Sequence, residues 1–225
     1  MFFPIGDTNV KGGYKIWVTY LILILNIAVF LFQFSLSRET GQALIAQFGC
    51  TPRDLMQGQH VYTLFTSMFL HGGWMHVIGN MLFLWVFADN IEATIGPWRF
   101  LIFYMAGGVL ATAAHVYMNP LSDVPCVGAS GAIAACLGAY LFLFPGSRVR
   151  VLFLLFFTTF EVPALLFLGI WIVQQFLAGV GSLGALTTDT SGVAYWSHIG
   201  GFGFGLLSAL WIRSRSAFRR MEEED

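Results

Sequence analysis

The sequence predicts an all-α membrane protein with six transmembrane helices in one domain, residues 1–225, with a core at about 14–213. Hydrophobic residues make up 57% of the chain and charged residues only 10%, whereas a water-exposed surface needs about 25% charge. The mean hydropathy is +0.73. The apolar residues form runs long enough to cross a bilayer, and most basic residues fall on one side of the resulting topology.

The first predicted span is the apolar run from Trp17 to Leu36, which follows Lys11 and Lys15. A secretory signal peptide also has a basic start, but its apolar core is usually about 7–15 residues with a small-residue cleavage site after it. A run of about 20 residues instead matches the thickness of a bilayer. We therefore expect a retained transmembrane helix here.

Five further apolar regions are predicted to be helices, because backbone polar groups in a bilayer must bond within their own segment. These regions are about His76–Ile95, Trp98–Met118, Ser130–Pro145, Val149–Val180 and Tyr195–Ile212. The region Val149–Val180 is too long for one span, and Pro163 favours a break within it. We expect 149–160 to lie near the membrane interface and about 162–180 to cross.

Both chain ends are expected on the cytoplasmic face, because six spans return the chain to its starting side. The positive-inside rule supports this orientation, since nine of the eleven basic residues fall on one face and only Arg38 and Arg53 lie opposite. The nine are Lys11, Lys15, Arg99, Arg148, Arg150, Arg213, Arg215, Arg219 and Arg220. Spans two, four and six therefore start at the outer face of what we expect to be a bacterial plasma membrane.

Charge and cysteine content argue against several other classes of protein. The formal net charge is −1, so nothing favours a nucleic-acid partner. Cys50, Cys126 and Cys136 form no CxxC pair and lack metal-ligand spacing, so we interpret them as unpaired apolar residues. No metal or other cofactor is predicted.

The segment Gly128–Gly131 reads Gly-Ala-Ser-Gly and opens the fourth span, which has only about 16 apolar residues. A helix of that length covers roughly 24 Å of a hydrocarbon core about 30 Å thick, so Ser130 is expected several ångströms below the outer surface. Unpaired N–H groups and the positive end of the helix dipole lie beside such a serine and can stabilise an oxyanion. An ordinary N-cap serine is the alternative for this motif alone.

His198 begins the sixth span and shares a helix face with Gly201 and Gly205, which form a GxxxG pair. The fourth span has a matching face of small residues, namely Ser130, Ala134 and Gly138. Packing of these two faces would bring His198 beside Ser130, where an imidazole can act as general base for the hydroxyl. Taken alone, a histidine bonded to a backbone carbonyl is the alternative.

His76 and Asn80 are one helical turn apart at the outer end of the second span. Both side chains can donate a hydrogen bond to a developing negative oxygen. Polar contacts between helices are the alternative for this pair. Three helices thus bring a nucleophile, a base and two donors to one depth. This agreement favours a catalytic site over four unrelated polar residues with structural roles.

In this order and on these helices, the residues resemble the rhomboid family of intramembrane serine proteases. The matching pattern is HxxxxHxxxN at His71, His76 and Asn80, GxSG at Gly128–Gly131, His198 with its GxxxG, and an ExxxG at Glu92 and Gly96. The resemblance covers roughly residues 14–213. It implies six helices around a water-filled cavity open to the outside, and substrates that are themselves transmembrane helices cut near their outer ends.

The resemblance also implies a role for each matching residue. It implies a Ser130–His198 dyad without an aspartate, and an oxyanion hole made by the His76 and Asn80 side chains with the Ser130 backbone N–H. The implied supporting residues are His71, Gly128, Gly131, Gly201 and Gly205. Two positions depart from the family pattern. Ala134 stands where many members have a tyrosine under the catalytic histidine, and Tyr62-Thr63 stands where many have Trp-Arg in the first loop.

Two other functions are compatible with a polytopic membrane protein. A non-catalytic rhomboid-like protein that binds membrane clients is expected to lack the serine or the histidine, and both are present. A transporter or channel is expected to carry charges within its spans, whereas Asp89, Glu92 and Glu161 fall near inner ends or a predicted break.

The segment 182–197 is rich in glycine and small polar residues and lacks a helical period. We expect it to be a mobile loop that caps the site at the outer face. From the break at Pro163 before span five, and in part from the family resemblance, we also expect that span to move with the loop as part of a lateral gate for substrates.

Overall fold

The computed structural model describes residues 2–8, 10, 13–183 and 193–214. These residues are mainly helical, and the helices run in the order predicted for the apolar regions. The α-helices are α1 (Val18–Ser35), α2 (Arg38–Phe48), α3 (Pro52–Met56), α4 (Thr63–Thr66), α5 (Trp74–Ile95), α6 (Pro97–Met118), α7 (Ser130–Leu143), α8 (Ala164–Ser182) and α9 (Tyr195–Ser214). A 3₁₀ turn, Ser67–Phe69, lies between α4 and α5.

Six of these helices correspond to the predicted spans, with ends that differ by a few residues. Of the described helices, α1, α6 and α8 are long and apolar enough to cross a membrane by themselves. α7 is apolar but has only 14 residues, while α5 and α9 have 22 and 20 residues and carry polar side chains. Helix length and apolar composition are therefore enough to identify three of the described helices as candidate membrane spans.

α7 lies at the centre of the bundle, because every residue from Gly131 to Tyr140 is buried. α1, α6 and α8 instead expose large apolar side chains, for example Ile24, Ile102 and Leu177. Apolar surfaces of this extent are stable against lipid chains and unfavourable in water. The distribution of apolar residues is therefore that of an integral membrane protein.

α7 and α9 approach each other closely through small residues. A side-chain carbon at Gly201 would collide with the carbonyl of Gly131, and one at Gly205 would collide with the carbonyl of Ala135. The GxxxG face predicted on α9 therefore contacts α7. It meets the carbonyls of Gly131 and Ala135, one position along from the predicted Ser130 and Ala134, whereas Gly138 of the predicted face does lie against α9, at the carbonyl of Phe202.

The segment between α7 and α8 is a β-hairpin, so the helix expected at 149–160 is wrong. β2 (Arg148–Phe153) and β3 (Thr158–Pro163) pair antiparallel. Along β2 the arginines are exposed while Val149 and Val151 are buried, which is the period of two typical of a strand. The all-α prediction is therefore wrong for this part of the chain, although the fifth span does begin next to Pro163, at Ala164.

β1 (Phe2–Asp7) completes the sheet by pairing with β2, which gives the strand order β1-β2-β3. Asp7 at its end accepts hydrogen bonds from the Tyr140 hydroxyl of α7 and from Asn90 of α5, the latter at 2.7 Å. Burial raises the pKa of Asp7 to about 6, even though these hydrogen bonds lower it. The strand thus ties the start of the chain to the ends of α5 and α7 that lie away from Ser130.

The buried side chain of Glu92 caps the start of α1. Its carboxylate accepts from the backbone N–H groups of Trp17, Val18 and Thr19 at 2.7–2.8 Å, and from the Thr19 hydroxyl at 2.7 Å. A carboxylate at a helix N-terminus satisfies unpaired N–H groups and complements the helix dipole. This contact locks α1 against α5, which carries His76 and Asn80.

The first loop folds into α2, α3 and α4 even though Tyr62-Thr63 departs from the family pattern. The Tyr62 hydroxyl donates to the carbonyl of Gln47 (3.0 Å), and the Thr63 hydroxyl donates to the carbonyl of His60 (2.7 Å). The Tyr62 ring also packs edge-on against Phe48, with centroids 6.2 Å apart. These two residues therefore connect parts of the loop to one another.

Candidate active site

Ser130 is the first residue of α7, and the turn before it depends on a glycine. Gly128 has a φ of +128°, a backbone conformation that L side chains rarely adopt. Its N–H donates to the carbonyl of Ser67 (2.9 Å), which holds the turn against the first loop. Because Ser130 opens the helix, its own N–H has no acceptor within the helix.

A short backbone bridge fixes the segment that leads into this turn. The N–H of Cys50 donates to the carbonyl of Cys126 (3.0 Å), and the N–H of Cys126 donates back (2.8 Å). Both thiols are free, and burial raises the pKa of each, to about 12 for Cys126. They therefore stay protonated at neutral pH, which is the state of structural rather than nucleophilic cysteines.

His198 of α9 lies beside Ser130, as the packing of the two small faces predicts. The His198 Nε2 is 2.8 Å from the Ser130 Oγ, and both side chains are half-buried. At this distance the hydroxyl can donate to Nε2, provided that the imidazole proton is on Nδ1. An imidazole in that state can accept the hydroxyl proton during attack on a carbonyl.

Two hydrogen-bond donors from α5 face the turn at Gly128. A side-chain carbon at Gly128 would lie 2.8 Å from the His76 Nε2 and 3.5 Å from the Asn80 Nδ2. The Gly72 N–H donates to the His76 Nδ1 (3.3 Å), so the proton of this imidazole is on the Nε2 that faces the turn. The Asn80 Nδ2 is buried and has no hydrogen-bond partner among the described residues. A buried donor without an acceptor needs an explanation, and binding a transient oxyanion provides one.

His71 has a supporting position next to this pair. It is fully buried, and its ring centroid is 5.1 Å from that of His76. Gln33 of α1 holds the His71 backbone from both sides, since its amide donates to the carbonyl (2.7 Å) and accepts from the N–H (3.3 Å). Burial lowers the pKa of His71 to about 4, so the ring is neutral at physiological pH.

Two residues of α8 contact His198 although the sequence did not single them out. The Gln175 Oε1 is 2.7 Å from the His198 Nδ1, and the Trp171 ring lies 5.6 Å from the imidazole between centroids. The sequence does contain a feature that points to α8, because Gln174 and Gln175 are a polar pair inside an otherwise apolar span and polar residues in a span are often functional. The sequence could not tell which glutamine faces the site, because that depends on how α8 is rotated about its axis.

Comparisons with known proteins show which family the chain resembles as a whole. The chain matches the family model of the Rhomboid domain over residues 58–215. It is 30% identical over 196 residues to the Rhomboid protease GluP of Bacillus subtilis, covering 86% of this chain and 38% of that protein. It is 28% identical over 229 residues to RHOMBOID-like protein 12, mitochondrial, of Arabidopsis thaliana, covering 91% of this chain and 63% of that one.

A further relative is the presenilin-associated rhomboid-like protein, mitochondrial, of Homo sapiens, which is 29% identical over 150 residues. That match covers 62% of this chain and 35% of the human protein. The chain thus spans less than two thirds of the length of each of these relatives. The family model nevertheless includes the turn at Gly128 and the helices that carry all four candidate groups. The chain belongs to the rhomboid family of integral membrane proteins.

Proposed function

We propose that this protein is an intramembrane serine endopeptidase that hydrolyses a peptide bond in or near the transmembrane helix of membrane-protein substrates. The 2.8 Å hydrogen bond between the Ser130 Oγ and the His198 Nε2 carries the proposal. The name of the Bacillus relative, a rhomboid protease, supports the same reaction. A protein that only binds membrane clients has no need of this pair.

In the first step the Ser130 Oγ attacks the carbonyl carbon of the scissile peptide. His198 Nε2 accepts the hydroxyl proton as the Oγ–C bond forms, so that an imidazolium and a tetrahedral oxyanion develop together. The imidazolium then donates this proton to the amide nitrogen as the C–N bond breaks. The products of this half-reaction are a free amine and an ester at Ser130.

The oxyanion of that intermediate is stabilised by three donors: the His76 Nε2–H, the Asn80 Nδ2–H and the Ser130 backbone N–H. The first two face the turn at Gly128, and the third lies at the helix N-terminus. Donors fixed in a site of low dielectric constant are strongly stabilising because they need no reorganisation when the charge develops. The left-handed turn at Gly128 keeps this space clear, since a side chain there would meet both α5 donors.

In the second half-reaction water attacks the Ser130 ester, with His198 again taking and returning the proton. The water must come from the outer face. α7 has 14 residues and is therefore about 21 Å long, against a hydrocarbon core of about 30 Å. Ser130 then lies some ångströms below the outer surface, so the hydrolytic water has to reach it from that face.

The proposed topology has six spans in a single domain, formed by α1, α5, α6, α7, α8 and α9, with both chain ends cytoplasmic. The apolarity of α1, α6 and α8 supports it, as does the distribution of Lys and Arg. Under this topology the sheet lies on the cytoplasmic side, where Arg148 and Glu161 form an exposed ion pair (3.2 Å). The expected membrane is a bacterial plasma membrane, with the active site towards its outer face.

Substrate is proposed to enter sideways between α5 and α8. An apolar groove beside α8 is lined by Phe83 of α5, by α8 residues that include Phe167 and Trp171, and by residues of β2 and β3. α8 is weakly held, because only Ala164, Leu168 and Gly179 of this helix are buried. Of the loop expected at 182–197 to cap the site, 184–192 lie outside the described residues, whereas Ser182 ends α8 and 195–197 already belong to α9.

The decisive test of this function is cleavage of a model single-span protein by the purified chain in detergent or liposomes. Wild type should cut the substrate, and Ser130→Ala and His198→Ala should each lose at least about 10³-fold in rate while retaining the wild-type melting temperature. Cleavage of the same bond by Ser130→Ala would show that another residue is the nucleophile. Absence of cleavage by wild type, with specific retention of the single-span protein, would favour a client-binding role.

A further inference from the structure

The imidazole of His198 is contacted on its far side by two residues of one helix. The Gln175 Oε1 lies 2.7 Å from the Nδ1, on the opposite edge of the ring from Ser130. The Trp171 ring lies 5.6 Å from the imidazole between centroids, with an interplanar angle of 36°. Trp171 and Gln175 are four positions apart on α8, so both project from the same helix face.

We propose that Gln175 is a positioning residue for the base, a role that rests on the proposed protease function. A neutral imidazole has one N–H, and attack by Ser130 requires that this proton be on Nδ1 so that Nε2 can accept. The amide oxygen of Gln175 accepts a hydrogen bond from the Nδ1–H and so favours this tautomer. When His198 becomes an imidazolium, the same oxygen still accepts from Nδ1 and stabilises the charge without carrying a charge of its own.

Trp171 supports the face of the same imidazole. On α7, the residue one turn after Ser130 is Ala134, a fully buried alanine that offers no ring to the imidazole. Trp171 also packs against Phe202, one turn after His198 on α9, with centroids 6.3 Å apart. The aromatic support for the base thus comes from α8 instead of α7, and it arrives together with the hydrogen-bond acceptor.

This arrangement couples the base to a weakly held helix. Most of α8 is exposed on the bundle surface, and it carries both groups that orient His198. When α8 moves away from the bundle, His198 loses its acceptor and its aromatic support together. The site is therefore complete only while α8 is seated.

A pair of substitutions at Gln175 separates positioning from a packing role. Gln175→Met keeps the length and flexibility of the side chain but removes the acceptor, and it suits a lipid-facing helix. Gln175→Glu keeps an acceptor oxygen at the same reach but is costly in a purely structural position within a membrane. Positioning predicts that Gln175→Met loses about 10–100-fold in kcat with KM unchanged, and that Gln175→Glu stays within a few-fold of wild type. If Gln175 only packs, Gln175→Glu should instead lose more activity than Gln175→Met.

The pH profile adds a readout that packing does not affect. A carboxylate beside the imidazole favours its protonated form, so the acidic limb of kcat/KM for Gln175→Glu should move to higher pH. Two other titratable groups lie close to His198, His76 on α5 and His115 on α6, and neither is altered in these variants. Val173→Met is the control for adding methionine to this helix, because Val173 is an exposed neighbour that is not among the residues lining the groove proposed for substrate entry, and it should retain wild-type kinetics.

A measurement without substrate distinguishes failure of this inference from failure of the proposed function. Nitrogen-15 NMR of histidine side chains in detergent should show the Nδ1–H tautomer for His198 in wild type and a tautomer mixture in Gln175→Met. If wild type does not cleave but shows this change, the positioning role stands and the protease function fails. If wild type cleaves while Gln175→Met matches it in kcat and in tautomer, Gln175 does not position the base.

Discussion

The contact between α7 and α9 should set the distance between nucleophile and base, and Gly201→Val tests this most sharply. A Cβ at Gly201 would lie 3.3 Å from the Ala111 Cβ and 3.1 Å from the Gly131 carbonyl carbon, and closer still to the carbonyl oxygen. The Gly131 carbonyl belongs to the backbone of a buried helix and cannot rotate away as a side chain can. α9 therefore has to move away from α7 by roughly 1 Å. The 2.8 Å hydrogen bond between Ser130 and His198 would then exceed the length of any effective hydrogen bond.

Misplacement of this size typically lowers turnover by about 10²-fold, which corresponds to about 2.7 kcal/mol in the activation free energy. The assay is kcat for cleavage of a single-span substrate in detergent, with melting temperature measured in parallel to exclude unfolding. Gly203→Val is the matched control, since a Cβ at Gly203 on the same helix would meet no atom within 4 Å. It should keep wild-type turnover.

Wild-type kcat in Gly201→Val would refute the idea that this contact sets the geometry of the dyad. Equal loss in Gly201→Val and Gly203→Val would also contradict it, because the effect would then follow from adding valine to α9 and not from the contact with α7. A graded loss from Gly201→Ala to Gly201→Val is the expected pattern.

Three further predictions concern other parts of the molecule. Asn80→Ala and His76→Ala should each lower kcat by about 10²–10³-fold with little effect on KM, because these donors act on the transition state; a pure KM effect would mean that they only position substrate. Burial raises the pKa of Asp7 from 3.8 to about 6, so the folded protein holds this proton more tightly than the unfolded chain does. The bound proton therefore adds to the free energy of unfolding at low pH, and this contribution is lost as the pH rises through 6. After allowance for partial solvent exposure, Asp7→Asn should therefore be more stable than wild type by ~1–2 kcal/mol at pH 8 and equal to it below pH 4, as judged by unfolding in detergent; equal stability at both pH values would contradict the burial of this carboxylate. Phe83 of α5 and Phe167 of α8 have ring centroids 6.2 Å apart. Cysteines at these two positions, in a background without the native cysteines and joined by a reducible bifunctional thiol cross-linker, should block cleavage of transmembrane substrates until the link is reduced, and cleavage at the uncross-linked rate would exclude this entry route.

The positions of the long helices could be predicted from the sequence because the signal is local. Apolar runs of bilayer length identify helices wherever they occur, and α6, predicted from Trp98, begins at Pro97 and ends at the predicted Met118. The approach of His198 to Ser130 could also be predicted, since small residues on two spans permit their backbones to approach closely.

The sheet and the contacts of α8 could not be predicted in the same way. β1 pairs with β2 across more than 140 residues of chain, and no local pattern near Phe2–Asp7 reports a partner that distant. Residues 149–160 are apolar enough to read as an interfacial helix, and only the alternation at Arg148–Val151 argues for a strand. For Gln175 the polar character was visible, but its contact with His198 depends on the rotation of α8, which tertiary packing sets.

The central claim is that Ser130 is a nucleophile activated by His198, and covalent labelling tests it most directly. A fluorophosphonate reacts with a serine whose hydroxyl proton is taken by a neighbouring base, losing fluoride and forming a stable phosphonate ester. Mass spectrometry of the digested wild-type protein should locate the adduct on Ser130, and His198→Ala should remain unlabelled under the same conditions. A protein that cleaves a single-span substrate while its adduct lies on any other residue, or while labelling of Ser130 persists in His198→Ala, would contradict the dyad.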